Sequence, residues 1–434
     1  MSRTEPQAKP LPKGGLGENV VWLTSLQTLN YLLPMATVPY LIRVLGANNY
    51  GVLSFAVTFS QYFVVLTDYG FNLSATRKIA IVREHRCKLE ETVSAVLLIK
   101  AGLLTISAIL MMSFVMFVPK YRPYCASIIV AFLSVVGSVA FPVWLFQGLQ
   151  DMRLVTLLSA LGRIVCTGAI FLTVHRSQDV LLATLWTVAG FPLAGILAWF
   201  AIRKNYHLTL HLPTLKAVRE ALDSGFHVFI SSVMSNALVN GAVLVMGFMT
   251  TMPIVGTYAA IEKIAKAAVM AFTPLTQALY PRTVEHFSQD YRDGKRFVVR
   301  SGAIVIGLAM VAALGLLAGA KVSIKLVCGQ RYVEYYPILQ ILAGWLFLGV
   351  VNNVVGVQYL LGSGRYRIYS GCFTASAVIT FLLLFWLVPE HTYMGAALSV
   401  TLGEFLLTVF MTIGIIRNIS GQNHLNSRES GATR

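Results

Sequence analysis

Read along its length, the chain alternates long apolar runs with short polar stretches. Each run has about the 20 residues a helix needs to cross a ~30 Å hydrocarbon core. Twelve spans are predicted: 20–42, 50–70, 92–118, 124–147, 154–174, 180–201, 224–249, 254–280, 299–319, 336–361, 367–388 and 394–416. The predicted fold class is therefore an all-α polytopic membrane protein. The first span follows a polar tail, is too long for an h-region and lacks a small-residue cleavage site, so it is read as a span and not as a signal peptide.

The polar stretch 202–223 separates six spans from six. This predicts a cytoplasmic tail 1–19, an N-terminal six-helix lobe 20–201, a linker 202–223, a C-terminal six-helix lobe 224–416 and a second tail 417–434. A shift of 205 positions lays Tyr50-Gly51 on Val255-Gly256 and span 92–118 on 297–323. The segment Gly148-Leu-Gln-Asp-Met-Arg153 after the fourth span resembles Gly362-Ser-Gly-Arg-Tyr-Arg367 after the tenth. The halves read as a duplication. Six spans each would insert them the same way up, with a substrate site between them. Pro34 and Pro39 both fall in the first span, where each removes a backbone donor and crowds the preceding turn. They are read as a hinge, against the plainer view that proline is common in membrane helices.

Composition agrees with this class. Of 434 residues, 56% are hydrophobic and only 12% charged, against about a quarter in soluble domains. With a cytoplasmic N-terminus, 23 of the 34 Lys and Arg fall in inside segments and 7 in outside ones. That bias places both termini in the cytoplasm and accounts for the basic balance through topology and anionic lipid, with no nucleic acid partner. Cys87, Cys125, Cys166, Cys328 and Cys372 form no CxxC pair or His/Cys cluster, so no metal site is predicted. There is no phosphate-binding G-x-x-x-x-G-K-[ST] loop, and no cofactor is expected.

Four remaining cations, Lys100, Arg163, Lys263 and Lys266, lie inside apolar spans, against two acids, Glu262 and Glu404. Such a charge costs at least ~2.5–3.5 kcal/mol on insertion scales, so it normally faces a bundle interior or an aqueous cavity. The excess of cations suits an anionic cargo. Alternatives stand beside this reading. Glu262 and Lys266 are i,i+4 and can neutralise each other, which leaves Lys263 over. Lys100 is near enough to a span end to reach the interface. Glu404 can pair with a buried cation or carry a coupling proton, a role also open to Glu262. Asp68 is read as a structural partner at a helix end beside Arg77 and Lys78. Polar lining is expected from Thr24, Gln27 and Asn30 in the first span, Asn236 and Asn240 in the seventh, and Asn352, Asn353 and Gln358 in the tenth.

The stretch Tyr31-Leu-Leu-Pro-Met-Ala-Thr-Val-Pro-Tyr-Leu-Ile-Arg-Val-Leu-Gly46, then Asn49-Tyr-Gly-Val-Leu-Ser-Phe-Ala56, then Thr67-Asp-Tyr-Gly-Phe-Asn-Leu-Ser-Ala-Thr-Arg-Lys-Ile-Ala80 resembles the N-terminal signature of the polysaccharide transporters, specifically the O-antigen flippases of Wzx type. Phe146-Gln-Gly-Leu-Gln-Asp-Met-Arg153 continues it loosely. The resemblance implies two six-helix lobes in a V around a central cationic cavity, alternating access and coupling to an ion gradient. It implies a cargo too: an oligosaccharide repeat unit on undecaprenyl pyrophosphate, moved from the cytoplasmic to the periplasmic leaflet of the bacterial inner membrane. Membrane lipids, a polysaccharide polymerase and a chain-length regulator are the partners in view.

Lys and Arg would supply charge-assisted bonds to phosphate and carboxylate oxygens, and Asn, Gln and Thr would bond sugar hydroxyls. Two other classes fit less well. A drug-extrusion exporter of cationic compounds would want acids in its N-terminal half, where Lys100 and Arg163 stand instead. A membrane polymerase or ligase would be expected to carry a large outside loop with catalytic residues, yet the longest outside stretch, about 320–335, holds only Glu334 and no His.

Overall fold

The computed structural model describes residues 16–206 and 208–432, with side chains considered from residue 33 to 417 except those of residues 35 and 205. The expected polar positions Thr24, Gln27 and Asn30 lie outside the described side chains, and most of tail 1–19 lies outside the described residues. Among the described residues the chain is helical throughout, with no strand.

The helices are α1 (Leu16–Asp68), α2 (Phe71–Val82), α3 (Arg86–Phe117), α4 (Cys125–Ala140), α5 (Val143–Gly148), α6 (Met152–Thr173), α7 (Val180–Val188) and α8 (Gly190–Asn205). They continue with α9 (Leu215–Met249), α10 (Met252–Met270), α11 (Thr273–Gln289), α12 (Tyr291–Ala318), α13 (Ala320–Val327), α14 (Tyr336–Asn352) and α15 (Tyr366–Ala432). A π-helical stretch, Asn353–Leu361, prolongs α14.

Among the described residues, nine helical stretches are long and apolar enough to cross a membrane by length and composition. The longest hold more than one predicted span. α1 leaves helical geometry at Gly46 (φ 70°, ψ 174°), between spans 20–42 and 50–70. α15 does so at Thr392 (φ 47°), between spans 367–388 and 394–416. Span 254–280 is divided between α10 and α11 and is not among the nine. Three charged residues within α10, Glu262, Lys263 and Lys266, lower its apolar character.

α1 runs as continuous helix through Pro34 and Pro39 and breaks seven residues later, at a glycine. In a bundle, neighbouring groups re-satisfy the carbonyls a proline frees, whereas a residue at φ 70° lies in the left-handed region that favours glycine.

The chain divides into two compact units: residues 1–37 with 56–233, and 38–55 with 234–434. The first unit has a core of Phe71, Ile79, Val93, Trp144, Phe146 and Val155 with their neighbours. Small residues let its helices approach at backbone distance, as membrane packing favours. A Cβ on Gly162 of α6 would fall 2.6 Å from the Gly190 carbonyl oxygen of α8, and one on Gly137 of α4 2.6 Å from the Pro192 nitrogen. α9 is started by Thr214, whose Oγ1 accepts from the Ala217 N–H at 3.2 Å. The extended segment before it is tied to α3, with the Thr209 N–H donating to Glu90 Oε1 at 3.1 Å and the His211 N–H to Ser94 Oγ at 3.3 Å. The second half of the polar stretch 202–223 is thus helical, beginning at Leu215.

The second unit is centred on Val298, Val305, Ala309, Val350, Leu360 and Met411. The two segments matched in sequence also turn alike. Gln150, two residues after Gly148, has φ 63°, and Gly364, two after Gly362, has φ 77°. In the first, Asp151 then caps α6, accepting from the Leu154 N–H at 3.2 Å and from Tyr206 Oη at 2.6 Å. Burial and that bond to a carboxylate push the Tyr206 phenol well up from its ordinary pKa.

Candidate functional site

The ionisable and polar residues singled out in the spans fall into small local groups within each unit. In the first unit, Lys100 of α3 is 1% exposed and is held by Asp68 at the end of α1, Nζ to Oδ1 at 3.3 Å, with the Ser138 carbonyl at 3.5 Å. Asp68 is followed by two left-handed residues, Tyr69 (φ 47°) and Gly70 (φ 76°), which turn the chain into α2. That turn is packed against α9. Tyr69 stacks on Phe229 at 5.0 Å, and a Cβ on Gly70 would meet the Gly225 carbonyl at 2.8 Å.

Arg163 sits one residue after the Gly162–Gly190 contact and lays its guanidinium over the Phe191 ring, 5.5 Å from the centroid. Among the described residues no carboxylate lies within 4.0 Å of it. A weakly hydrated cation resting on an aromatic face keeps its fork of donors available to an anion.

In the second unit, α9 presents Asn236 and Asn240 one turn apart, Asn240 Nδ2 donating to Asn236 Oδ1 at 2.8 Å. The Asn236 amide nitrogen is buried and has no partner among the described residues. On α10, Lys266 bridges to Glu262 at 2.9 Å and donates to the Val239 carbonyl of α9 at 2.8 Å. Lys263, one position round the helix from Glu262, is exposed and has no carboxylate within 4.0 Å among the described residues. The i,i+4 pairing thus forms, and Lys263 is left over.

A third group joins α14 to α15. Asn352 Nδ2 donates to the Glu404 carbonyl at 2.8 Å and to its Oε2 at 2.6 Å, and Thr408 Oγ1 donates to Asn352 Oδ1 at 2.7 Å. The π-helical stretch begins at the next residue, Asn353, whose buried side-chain oxygen is unsatisfied among the described residues. π-bulges are frequent at functional sites. Gln358, inside the same stretch, donates to the Thr276 carbonyl at 2.9 Å and accepts from Thr283 Oγ1 at 3.1 Å. Glu404 is thus a half-buried carboxylate positioned by the Asn352 amide, whose helix runs on into the π-helical stretch.

Several of these partners were not apparent in the sequence. Asp68 belongs with Lys100, not with Arg77 and Lys78. The signal available was depth: Asp68 ends one span and Lys100 lies near the same end of the next, so antiparallel helices bring them level. Thr408 and the π-helical turn carried no such signal. Among the described residues no group of three His, Cys, Asp or Glu is placed to hold a metal ion.

Comparison with known proteins adds a lineage to this geometry. Residues 16–287 match the model of a family described as polysaccharide biosynthesis protein. A protein of Escherichia coli (strain K12) named "Putative O-antigen transporter" is 31% identical over 407 residues, covering 94% of this chain and 98% of its own length. Among solved structures, the lipid II flippase MurJ in an inward closed conformation superposes with a TM-score of 0.74 at 11% identity, over 91% of this chain and 87% of that one. An inward-facing multidrug resistance transporter of the MATE family superposes with a TM-score of 0.69 at 13% identity, over 93% of this chain and 99% of that one. At these identities the two structures speak to the fold alone.

Proposed function

This chain belongs to the polysaccharide biosynthesis protein family, and from that premise we propose that it is a flippase for lipid-linked oligosaccharides, a transporter and not an enzyme. The observation that carries the reading is the Escherichia coli relative, named for O-antigen transport and matched over 98% of its length. The proposed cargo is an O-antigen or related repeat unit on undecaprenyl pyrophosphate. It would move from the cytoplasmic to the periplasmic leaflet of a bacterial inner membrane, between two six-helix lobes of a twelve-span protein with both termini cytoplasmic. Pyrophosphate and sugar hydroxyls cannot enter hydrocarbon unpartnered, so the protein must replace water around the head group.

The proposed roles follow from which charges are already spent. Lys100 and Lys266 have carboxylate partners, so within the proposed cationic lining they set local charge and geometry. Arg163 and Lys263 are proposed to meet the anionic head group. Asn236, Asn240 and Asn353, with Gln27 and Asn30, are proposed to meet sugars, and Asn352 to hold Glu404. Glu404 is the proposed coupling acid ahead of Glu262, whose charge is answered by Lys266. Polymerase and chain-length regulator remain the proposed protein partners.

The test is complementation. In a strain deleted for this gene, wild type should restore the surface glycan, and Arg163→Ala and Lys263→Ala should not, at equal membrane levels. Full export by both alanine variants would remove the assigned roles. A deletion strain that keeps its surface glycan and loses drug resistance would instead favour a drug-extrusion exporter.

A further inference from the structure

Basic residues at several helix ends of this protein are answered by acids: Lys78 by Glu220 at 3.1 Å, Arg86 by Glu90 at 3.1 Å. One cluster is not. Arg292, Lys295, Arg296 and Arg300, with Val299, line a groove of about 360 Å³ at the start of α12. All five side chains are exposed. Among the described residues none of the four cations has a carboxylate within 4.0 Å.

The two acids at the start of α12 are engaged elsewhere. Asp290 accepts from the backbone N–H groups of Arg292 and Asp293, both at 3.1 Å. Asp293 is held at 2.6 Å by His286, whose ring stacks on Phe297 at 4.4 Å.

The spacing i, i+3, i+4, i+7, i+8 puts the five residues on one helix face. Like charges at i,i+4 repel, and cations in the first turn of a helix oppose its dipole. Such a cluster is unfavourable alone and favourable around an anion. The same face continues along α12 as exposed apolar surface through Ala303, Gly307, Met310, Leu314 and Leu317. The opposite face, with Val298, Gly302, Val305, Ala309 and Ala313, is buried. Charge therefore sits at one end of an exposed apolar stripe.

The four cations spread over about 12 Å of helix, eight residues at about 1.5 Å each. That span exceeds a single phosphate or a pyrophosphate and suits two phosphates held apart by a short alcohol bridge. Three of the four are arginines, whose planar donors pair with phosphate two at a time.

We propose that this groove is the site of a resident phospholipid whose head group carries two separated phosphodiesters, its acyl chains lying along the exposed stripe of α12. The site stands within the second unit and does not depend on the identity of the transported cargo.

Full-length protein in neutral detergent tests this by native mass spectrometry and thermal shift, titrated with diphosphatidylglycerol, phosphatidylglycerol or undecaprenyl pyrophosphate. Wild type should prefer diphosphatidylglycerol over phosphatidylglycerol by about tenfold, since each basic residue at a membrane surface adds a few-fold for anionic lipid. The variant R292Q/K295Q/R296Q/R300Q should lose the preference, and R292K/R296K/R300K, which keeps the charge and loses the two-pronged donors, should keep only part of it. An equal charge loss elsewhere, R77Q/R83Q/K88Q/R203Q, should leave it intact. Arg296→Gln alone disturbs topology least and should weaken binding several-fold. Indifference among the lipids, preference for undecaprenyl pyrophosphate, equal loss in both quadruple variants, or an Arg296→Gln protein that binds like wild type would each overturn the proposal.

Discussion

Gly51 and Gly256 are 205 positions apart in the chain and face each other in the fold. A Cβ added to Gly51 would lie 2.9 Å from the Gly256 nitrogen, and one added to Gly256 would lie 2.7 Å from the Gly51 nitrogen. Each would also run into a carbonyl oxygen of the other helix, Met252 in the first case and Ala47 in the second. The second stretch of α1 and the start of α10 therefore touch backbone to backbone. This contact is part of what holds residues 38–55 in the second unit. The 205 positions between them equal the offset used above to compare the two parts of the sequence.

Substitution here should be costly. Gly51→Leu or Gly256→Leu must force the helices apart, and overpacking of this kind typically costs ~1–3 kcal/mol. Gly102, with nothing within 4 Å of a built Cβ, is the control. Thermal melting of detergent-purified protein should show a loss of stability for the first two and none for Gly102→Leu. Melting at the wild-type temperature in all three would disprove the close contact.

Lys100 and Asp68 offer a second test. The lysine is almost wholly buried, so removing its partner leaves an uncompensated charge, at a cost on the order of 3–5 kcal/mol. Asp68→Ala should therefore reduce the amount of folded protein in the membrane more than the double change Asp68→Leu with Lys100→Met, which removes both charges and keeps volume. A double variant no better than Asp68→Ala would show that the pair does more than neutralise itself.

How far the sequence disclosed these features depends on how local each one is. Apolar length is a local property, and nine helical stretches among the described residues meet it: the breaks at Gly46 and Thr392 fall between runs already separated by polar residues. The Glu262–Lys266 pair was legible because i,i+4 geometry is set within one helix. Lys100–Asp68 and Asn352–Glu404 join residues 32 and 52 positions apart, and helix periodicity says nothing about which helix faces which. The break at Gly46 was masked by two prolines, whose rule holds for isolated helices and is relaxed where neighbours satisfy the freed carbonyls. The π-helical stretch Asn353–Leu361 has no composition that marks it in the sequence.

Arg163 rests on Phe191 with no carboxylate near it among the described residues. If it meets the cargo as a point charge, Arg163→Lys should restore part of the export that Arg163→Ala loses. Phe191→Leu removes the aromatic platform, worth about 0.5–2 kcal/mol, and should lower export several-fold without abolishing it. Surface glycan measured against membrane protein level reads both. Export by Arg163→Lys as low as by Arg163→Ala would assign the contact to the two-pronged fork and not to charge.

The last prediction separates Gly46 from the prolines. Gly46 has φ 70° and nothing within 4 Å of a built Cβ, so a Cβ fits in space and the cost of alanine is conformational alone. At φ 70° and ψ 174° the position lies in a region open essentially to glycine alone, so Gly46→Ala and Gly46→Asn should both destabilise, by about 1–3 kcal/mol. Pro34→Ala with Pro39→Ala should cost little, since α1 is already helical through both sites and alanine is the best helix former. If the prolines nevertheless act as a hinge between transport states, the double variant will insert normally and export slowly, because a change that favours one conformer draws population from the other. Melting temperature and export measured together distinguish the outcomes. A double-alanine protein with wild-type export confines the flexible point of α1 to Gly46, and a Gly46→Ala protein as stable as wild type would show that the left-handed turn is not retained in the membrane.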